Sequence, residues 1–297
     1  MKGLFTTAVA ALGLTMGASA LPSTCNRVCM TRIVNVILKS MVAELAPASI
    51  SMMTLWRTVT KAGTPSLLAI DTITGSAYFS LAITEGNENA QSVLNARVKV
   101  VNNQITELDL FVNRSRGDYG FSLSPEELAD NYEQWMEPPS TRSKASCATL
   151  EALGAAAFDT TTGLNVTVAD DCHPDEDGSY EPLTDSWPDS RPTDANARAN
   201  LVVDDELGIV VVGALVPGNV YPYGELSAFI PDQMVEAQAA QDEWLDGKLA
   251  NGTIPLVAPL GAMGEVLEVL QYYDAKLQGE QVNVYLRGPD MSSVWLQ

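Results

Sequence analysis

The stretch "VLNARVKVVNNQITELDLFVNR", residues 93–114, has the pattern of a β-hairpin. Side chains alternate in character on both sides of Asn102-Asn103, and asparagine tolerates the positive φ angles of a two-residue turn. With that turn, Lys99 and Glu107 fall where opposite charges on paired strands attract each other. The pattern therefore predicts two long antiparallel strands with a fixed register.

A looser copy of this hairpin closes the chain. It reads "EVLEVLQYYDAKLQGEQVNVYLRG", residues 265–288, with its turn expected at 276–279. In each half, the hairpin comes after an amphipathic or Ala-rich stretch that predicts a helix, at 23–45 and at 143–159. Strands are predicted between the first helix and its hairpin, at 49–59, 66–73 and 75–86.

The repeated order of helix, strands and hairpin predicts an α+β protein with two domains. Pro138-Pro139 interrupts the chain between the halves, so the expected domains are 21–138 and 139–297. The second domain is interrupted by a stretch rich in Asp, Pro and Ser at about 170–206, which predicts an irregular acidic insertion.

The first 20 residues have the features of a secretory signal peptide. Lys2 precedes an apolar run, and Ala18-Ser19-Ala20 supplies the small residues that signal peptidase requires. The run is shorter than the roughly 20 apolar residues that span a bilayer. We therefore expect a secreted protein with no membrane partner. Export would expose three sequons to glycosylation, at Asn113, Asn165 and Asn251.

The charge of the chain argues against two classes of partner. Its formal net charge is −20 at pH 7. A surface dominated by carboxylates repels nucleic acid phosphates and anionic lipids. We expect a small hydrophobic molecule as the partner, and the sequence leaves the oligomeric state open.

Four cysteines, an even number, agree with export: Cys25, Cys29, Cys147 and Cys172. Their spacing lacks the paired motifs of structural zinc sites, so two disulfides are predicted. Cys25 and Cys29 lie one turn apart on the predicted helix and are expected not to bond each other. The prediction leaves open which of them pairs with Cys147 and which with Cys172.

Three short motifs carry a resemblance to a known family. They are "CNRVCM" at 25–30, "ADDCHPDEDG" at 169–178 and "LRGPDMSSVW" at 286–295. The chain resembles a family of secreted fungal proteins of unknown function with tandem domains similar to nuclear transport factor 2 and polyketide cyclases. The resemblance implies two tandem cone-shaped domains, each a curved antiparallel sheet wrapped on an N-terminal helix and enclosing a cavity.

Few residues can carry acid–base chemistry in such a cavity. His173 is the one histidine of the chain, and no G-x-S-x-G nucleophile motif occurs. The cone-shaped isomerases use a carboxylate as general base, which makes Asp71 and Asp109 candidates beside His173. The acidic run around Cys172 fits a calcium loop poorly, so no metal site is predicted.

Aromatic residues on the predicted strands or at their edges are the candidates for contact with substrate: Trp56, Tyr78, Tyr221, Tyr223, Tyr272 and Tyr273. The sequence contains no Rossmann, phosphate-loop, kinase or haem motif, so no cofactor is expected. The resemblance therefore predicts a cofactor-free cyclase, isomerase or pericyclase, such as a Diels-Alderase, acting on a hydrophobic polyketide or terpenoid intermediate of secondary metabolism. The alternative is a secreted protein that binds a small molecule or another protein without catalysis.

Overall fold

A computed structural model describes residues 25–43, 54–86, 90–114, 125–157, 167, 198–221, 228–231 and 260–286. The described residues up to Asn113 and from 125 to Met136 form one compact unit, and those from Glu137 onward form the other. Each unit combines helices with one antiparallel sheet. The predicted α+β class is therefore confirmed. No helix among these residues is long and apolar enough to cross a membrane.

The first unit contains four helices and a five-stranded sheet in the described ranges. The strand order is β1-β3-β4-β5, and β2 also pairs with β3. The elements are α1 Arg27–Val42, α2 Thr54–Thr58, β1 Val59–Ala62, β2 Leu67–Asp71, β3 Ser76–Glu85, β4 Ala90–Val101, β5 Gln104–Arg114, α3 Pro125–Asp130 and α4 Tyr132–Met136.

Helix α1 is the amphipathic helix that the sequence predicts. It begins at Arg27 because the Asn26 side chain accepts a hydrogen bond from the Cys29 N–H at 3.0 Å. Its apolar side chains at spacings of three and four are buried against the sheet: Met30, Val34, Ile37, Leu38 and Met41. The helix-facing side of this sheet therefore carries the apolar core of the unit.

The strand predicted at 49–59 is wrong over most of its described part. Residues 54–58 form helix α2, and only Val59 of the predicted range begins a strand. The helical turn places Leu55 and Trp56 in the core beside α1, where the Trp56 Nε1–H donates to Ser40 Oγ at 3.2 Å. Burial of these side chains therefore overrides the β propensity of the segment.

The hairpin at 93–114 is confirmed. Asn102 and Asn103 have positive φ angles of 53° and 60°, so they form the turn between β4 and β5. Lys99 Nζ lies 3.3 Å from Glu107 Oε1, which is the predicted cross-strand ion pair.

The second unit has one helix and a five-stranded sheet among the described residues. The strand order is β10-β9-β7-β6, and β8 also pairs with β7. Helix α5 lies against β6 and β7, and Ser146 Oγ caps it by accepting the Thr149 N–H at 3.1 Å. The elements are α5 Cys147–Ala157, β6 Arg198–Asp204, β7 Ile209–Tyr221, β8 Ala228–Pro231, β9 Leu260–Tyr273 and β10 Lys276–Leu286.

Two boundaries in the second unit differ from the prediction. The acidic insertion cannot extend to 206, because residues 198–204 form β6 and bury Leu201 and Val202. The turn of the last hairpin is at Asp274 and Ala275, with φ angles of 53° and 58°, and not at 276–279. Gly279, which suggested a turn, instead follows a register shift within β10.

The turn between β2 and β3 is built around one aspartate. Asp71 Oδ1 accepts hydrogen bonds from the N–H groups of Ile73 and Thr74 at 2.8 and 2.9 Å. Gly75 ends the turn with a φ of +71°, and its carbonyl accepts the Val100 N–H at 2.8 Å. The turn thereby fixes where β3 begins relative to β4.

The same turn recurs between β6 and β7. Asp204 Oδ1 accepts the N–H groups of Glu206 and Leu207, both at 3.1 Å. Gly208 follows with a φ of +74°, and its carbonyl accepts the Tyr272 N–H at 2.8 Å. Val100 and Tyr272 stand at equivalent places just before the two hairpin turns. Both sheets therefore follow one plan.

Candidate functional site

The two predicted carboxylate bases have structural partners. Asp71 is buried because its carboxylate caps the turn described above. Asp109 Oδ2 lies 2.9 Å from Arg97 Nε, and the Arg97 guanidinium also contacts Glu107. Both aspartates thus stabilise the first sheet. Their predicted role as general bases stays a prediction.

Arg97 is the centre of a charged cluster on the hairpin face away from α1. Its side chain is 7% exposed, with Asp109 and Glu107 on one side, and Lys99 adds a second cation. Burial by itself raises the pKa of Glu107, but hydrogen bonds and charge from Arg97 and Lys99 outweigh it. The pKa of Glu107 therefore lies below its ordinary value of 4.5.

This lowered pKa gives a pH dependence of stability. The ionised Glu107 stabilises the folded state above the pKa of the unfolded chain, and the contribution disappears as the pH falls through the lower folded pKa. We expect Glu107→Gln to lose less free energy of unfolding than the wild type between about pH 7 and about pH 3. Urea unfolding at both pH values measures this, with the exposed Glu133→Gln as control. Equal losses in wild type and Glu107→Gln would contradict it.

Two predicted substrate-contact residues lie inside the first unit. Tyr78 is fully buried, and its hydroxyl donates to Asn95 Oδ1 at 2.8 Å. Burial raises the pKa of Tyr78 far above its ordinary value. Helices α3 and α4 contact strands of this sheet, with the Leu68 N–H 3.2 Å from Met136 Sδ. Tyr78, like Trp56, therefore has a packing role, and contact with a substrate stays a prediction.

The remaining predicted residues lie in the second unit or outside the described ranges. Tyr272 and Tyr273 end β9, and the half-buried Tyr272 contacts the core beside α5. The backbone of Tyr221 ends β7. The structure describes none of the others, which are His173, Tyr223, Cys172, Asn165 and Asn251. Asn113 lies in β5 and is buried. Its glycosylation stays a prediction.

The prediction that Cys25 and Cys29 do not bond each other is wrong. They form a disulfide with a Cα–Cα distance of 5.2 Å. Cys25 precedes the helix, and the extended backbone at Asn26, with φ −75° and ψ 178°, places it beside Cys29. The predicted pairings of Cys25 and Cys29 with Cys147 and Cys172 are therefore wrong. Cys147 is at the start of α5, and Cys172 lies outside the described residues.

The second unit contains a buried acid that the prediction missed. Glu268 on β9 is 4% exposed and lies directly opposite Val212 on β7 and Val282 on β10. These valines contact α5 through the apolar cluster of this unit, so Glu268 shares the α5-facing side of the sheet. Counted from the hairpin turns, the equivalent residue of the first unit is Ala96.

The face of β9 and β10 away from α5 is also polar and buried. It carries four such side chains, Glu265, Gln271, Gln281 and Asn283. Gln271 Nε2 donates to the Leu207 carbonyl at 3.3 Å, which connects this face to the β6–β7 turn. The second sheet thus has buried polar groups on both faces.

Glu268 is the candidate functional group. Glu268 is buried beside valine and leucine side chains, and a buried carboxylate needs hydrogen bonds or an opposite charge to offset the cost of its burial. A positioned carboxylate can take a proton from a carbon atom and return it elsewhere. The described residues contain no group of three or more His, Cys, Asp or Glu side chains placed to hold a metal ion.

Comparisons of the chain with protein-family models, curated proteins and solved structures gave no match.

Proposed function

We propose that the protein is a secreted, cofactor-free enzyme of the isomerase or cyclase type, with Glu268 as its proton-transferring group. The observation that supports this is the burial of Glu268 on the α5-facing side of the second sheet. Apolar neighbours suit a hydrophobic substrate, such as a polyketide or terpenoid intermediate. The signal-like N-terminus supports export.

The proposal includes the cone architecture for each unit. Two features support it. Helices α1 and α5 each precede a five-stranded antiparallel sheet, and each contacts one face of that sheet through apolar side chains. A carboxylate on the helix-facing side of such a sheet would lie within the interior of the cone.

The proposed chemistry needs only the substrate and this carboxylate. Glu268 removes a proton from a carbon next to a carbonyl group, and the electron pair of the C–H bond forms the enolate. Return of the proton at another carbon gives the isomer. In the cyclisation, the enolate carbon attacks a second carbonyl carbon of the same molecule, and the resulting alkoxide takes the proton back from Glu268 to give the ring. No electrons are gained or lost overall.

Glu268→Gln tests this proposal. The amide keeps the shape of the side chain and cannot accept the proton, so we expect a loss of about 100-fold or more in kcat. The assay follows conversion of polyketide and terpenoid intermediates to a stereochemically uniform product that boiled protein does not give.

Glu265→Gln is the matched control. Glu265 lies on the same strand, is fully buried and points to the opposite face, so its variant tests the loss of a buried carboxylate without loss of the proposed base. Activity should survive this change. Equal activity in wild type and Glu268→Gln, with both variants folded, would overturn the assignment.

A secreted binding protein without catalysis is the second candidate. It is favoured by the structural partners of Asp71 and Asp109, which leave neither carboxylate dedicated to chemistry. The same assay separates the two functions. An intermediate that binds with saturation and is recovered unchanged would support binding and contradict catalysis.

A further inference from the structure

The β9–β10 face away from α5 contains a polar side chain that its surroundings do not satisfy. Gln281 is 4% exposed, and within the part of the chain that the structure describes neither its Oε1 nor its Nε2 has a hydrogen-bond partner. A buried donor or acceptor without a hydrogen-bond partner destabilises the folded state. The amide of Gln281 is therefore open to a partner from outside the described residues.

The neighbours of Gln281 in the sheet offer its amide little hydrogen bonding. Val269 lies directly opposite and has no polar atom in its side chain. Gly279, the next residue of β10 on this face, has no side chain and lies opposite Gln271. Asn283 follows on the same face and is also buried. The amide of Gln281 is thus bordered by apolar surface, a glycine and two further amides.

The first unit shows what normally fills this position. Counted from the turns at Asn103 and Ala275, Asp109 and Gln281 occupy the same place in their strands. Asp109 is paired across the sheet with Arg97, whose equivalent in the second unit is Val269. The second unit therefore keeps a hydrogen-bonding side chain here and lacks the partner that the first unit supplies.

We propose that this face binds a small neutral molecule through a carboxamide or lactam group. The Gln281 side chain presents an acceptor and a donor side by side, and a planar amide pairs with it through two parallel hydrogen bonds. A negatively charged group offers only acceptors and would leave Oε1 unsatisfied. The site is independent of the proposed base, since Glu268 lies on the other face of the sheet.

Binding of 2-pyrrolidinone, the simplest five-membered lactam, tests the site. Cyclopentanone has the same ring and carbonyl but no N–H, so it can make only one of the two hydrogen bonds. Titration by NMR of the full chain should show that the lactam binds at least tenfold more tightly than the ketone. A crystal soaked with 2-pyrrolidinone should show the lactam on the Gln281 amide.

Gln281→Met keeps the length of the side chain and removes both polar atoms. We expect it to weaken lactam binding at least tenfold. Gln278→Met is the matched control, because Gln278 is in the same strand and its Nε2 donates to the Tyr273 carbonyl instead. This variant should bind as the wild type does.

A second variant keeps the proposal testable if Gln281→Met does not fold. Val269→Thr is isosteric and supplies a hydroxyl directly opposite Gln281, which competes with the lactam for the amide. Weaker lactam binding in this variant would support the site. Equal binding of lactam and ketone, unchanged binding in the variants, or only an ordered water on the amide would overturn it.

Discussion

Gly75→Ala is expected to lower the free energy of unfolding by about 3 kcal/mol or more, because strained backbone and steric overlap add at this position. The φ of Gly75 is +71°, a conformation that alanine adopts at a cost. A Cβ atom there would lie only 2.4 Å from the Val100 carbonyl oxygen. The strand cannot simply move away, since the Val100 N–H is hydrogen-bonded to the Gly75 carbonyl.

Gly86→Ala is the matched control for this substitution. Gly86 has a similar φ of +65°, but nothing lies within 4 Å of a Cβ built on it. Its replacement should cost only the free energy of holding alanine at a positive φ angle, about 1 kcal/mol. The unfolding free energies of both variants, measured in urea, separate the cost of the positive φ angle from the cost of the steric overlap with Val100. Equal losses in the two would show that the contact with Val100 relaxes at no cost.

Trp56→Ala is expected to cost about 3–5 kcal/mol, the usual range for removal of a large buried aromatic side chain. Trp56 is 2% exposed and lies in the apolar core of the first unit. Its indole also joins α2 to α1 through the hydrogen bond to Ser40. Thermal and urea unfolding both report the loss.

Two further variants locate the source of this effect. Trp56→Phe keeps most of the apolar contact and loses the hydrogen bond, so its cost should be well below that of alanine. Tyr132→Ala removes an aromatic side chain that is 37% exposed and should cost much less. If Trp56→Ala were no more destabilising than Tyr132→Ala, the packing role of Trp56 would be wrong.

The sequence predicts those parts of the fold whose signals are local. The Asn102-Asn103 turn and the amphipathic pattern of α1 depend on neighbouring residues alone, and both are confirmed. The segment around Trp56 has a high β propensity, which predicts a strand. Its helical turn depends on contact with α1, which no short pattern records.

Prediction of the disulfide failed at the start of a helix. The sequence places Cys25 and Cys29 one turn apart, which keeps them from bonding only if both are helical. Asn26 is the cap, so Cys25 lies before the first turn and its direction is set by an extended residue. The helix begins at Arg27 and not at the predicted residue 23, and this later start reverses the prediction.

Carboxylates on strands could be predicted, but not their surroundings. The sequence makes Asp71 a candidate base, yet its hydrogen bonds belong to the turn that ends at Gly75. The same turn recurs at Asp204 and Gly208. Glu268 was missed because an acid in a strand is commonly solvent-facing. The signal was present in the alternation of Val266, Glu268 and Leu270, which places the acid among core residues.

The recurrent turn from aspartate to glycine also bears on how the chain evolved. Each turn makes its hydrogen bonds within its own sheet and so fixes how the strands of that sheet align. Neither half therefore depends on the other for its strand register. Either half can therefore accept substitutions without shifting the strands of the other. The ion pair of Arg97 in the first sheet and the amide of Gln281 in the second show such a difference at equivalent positions.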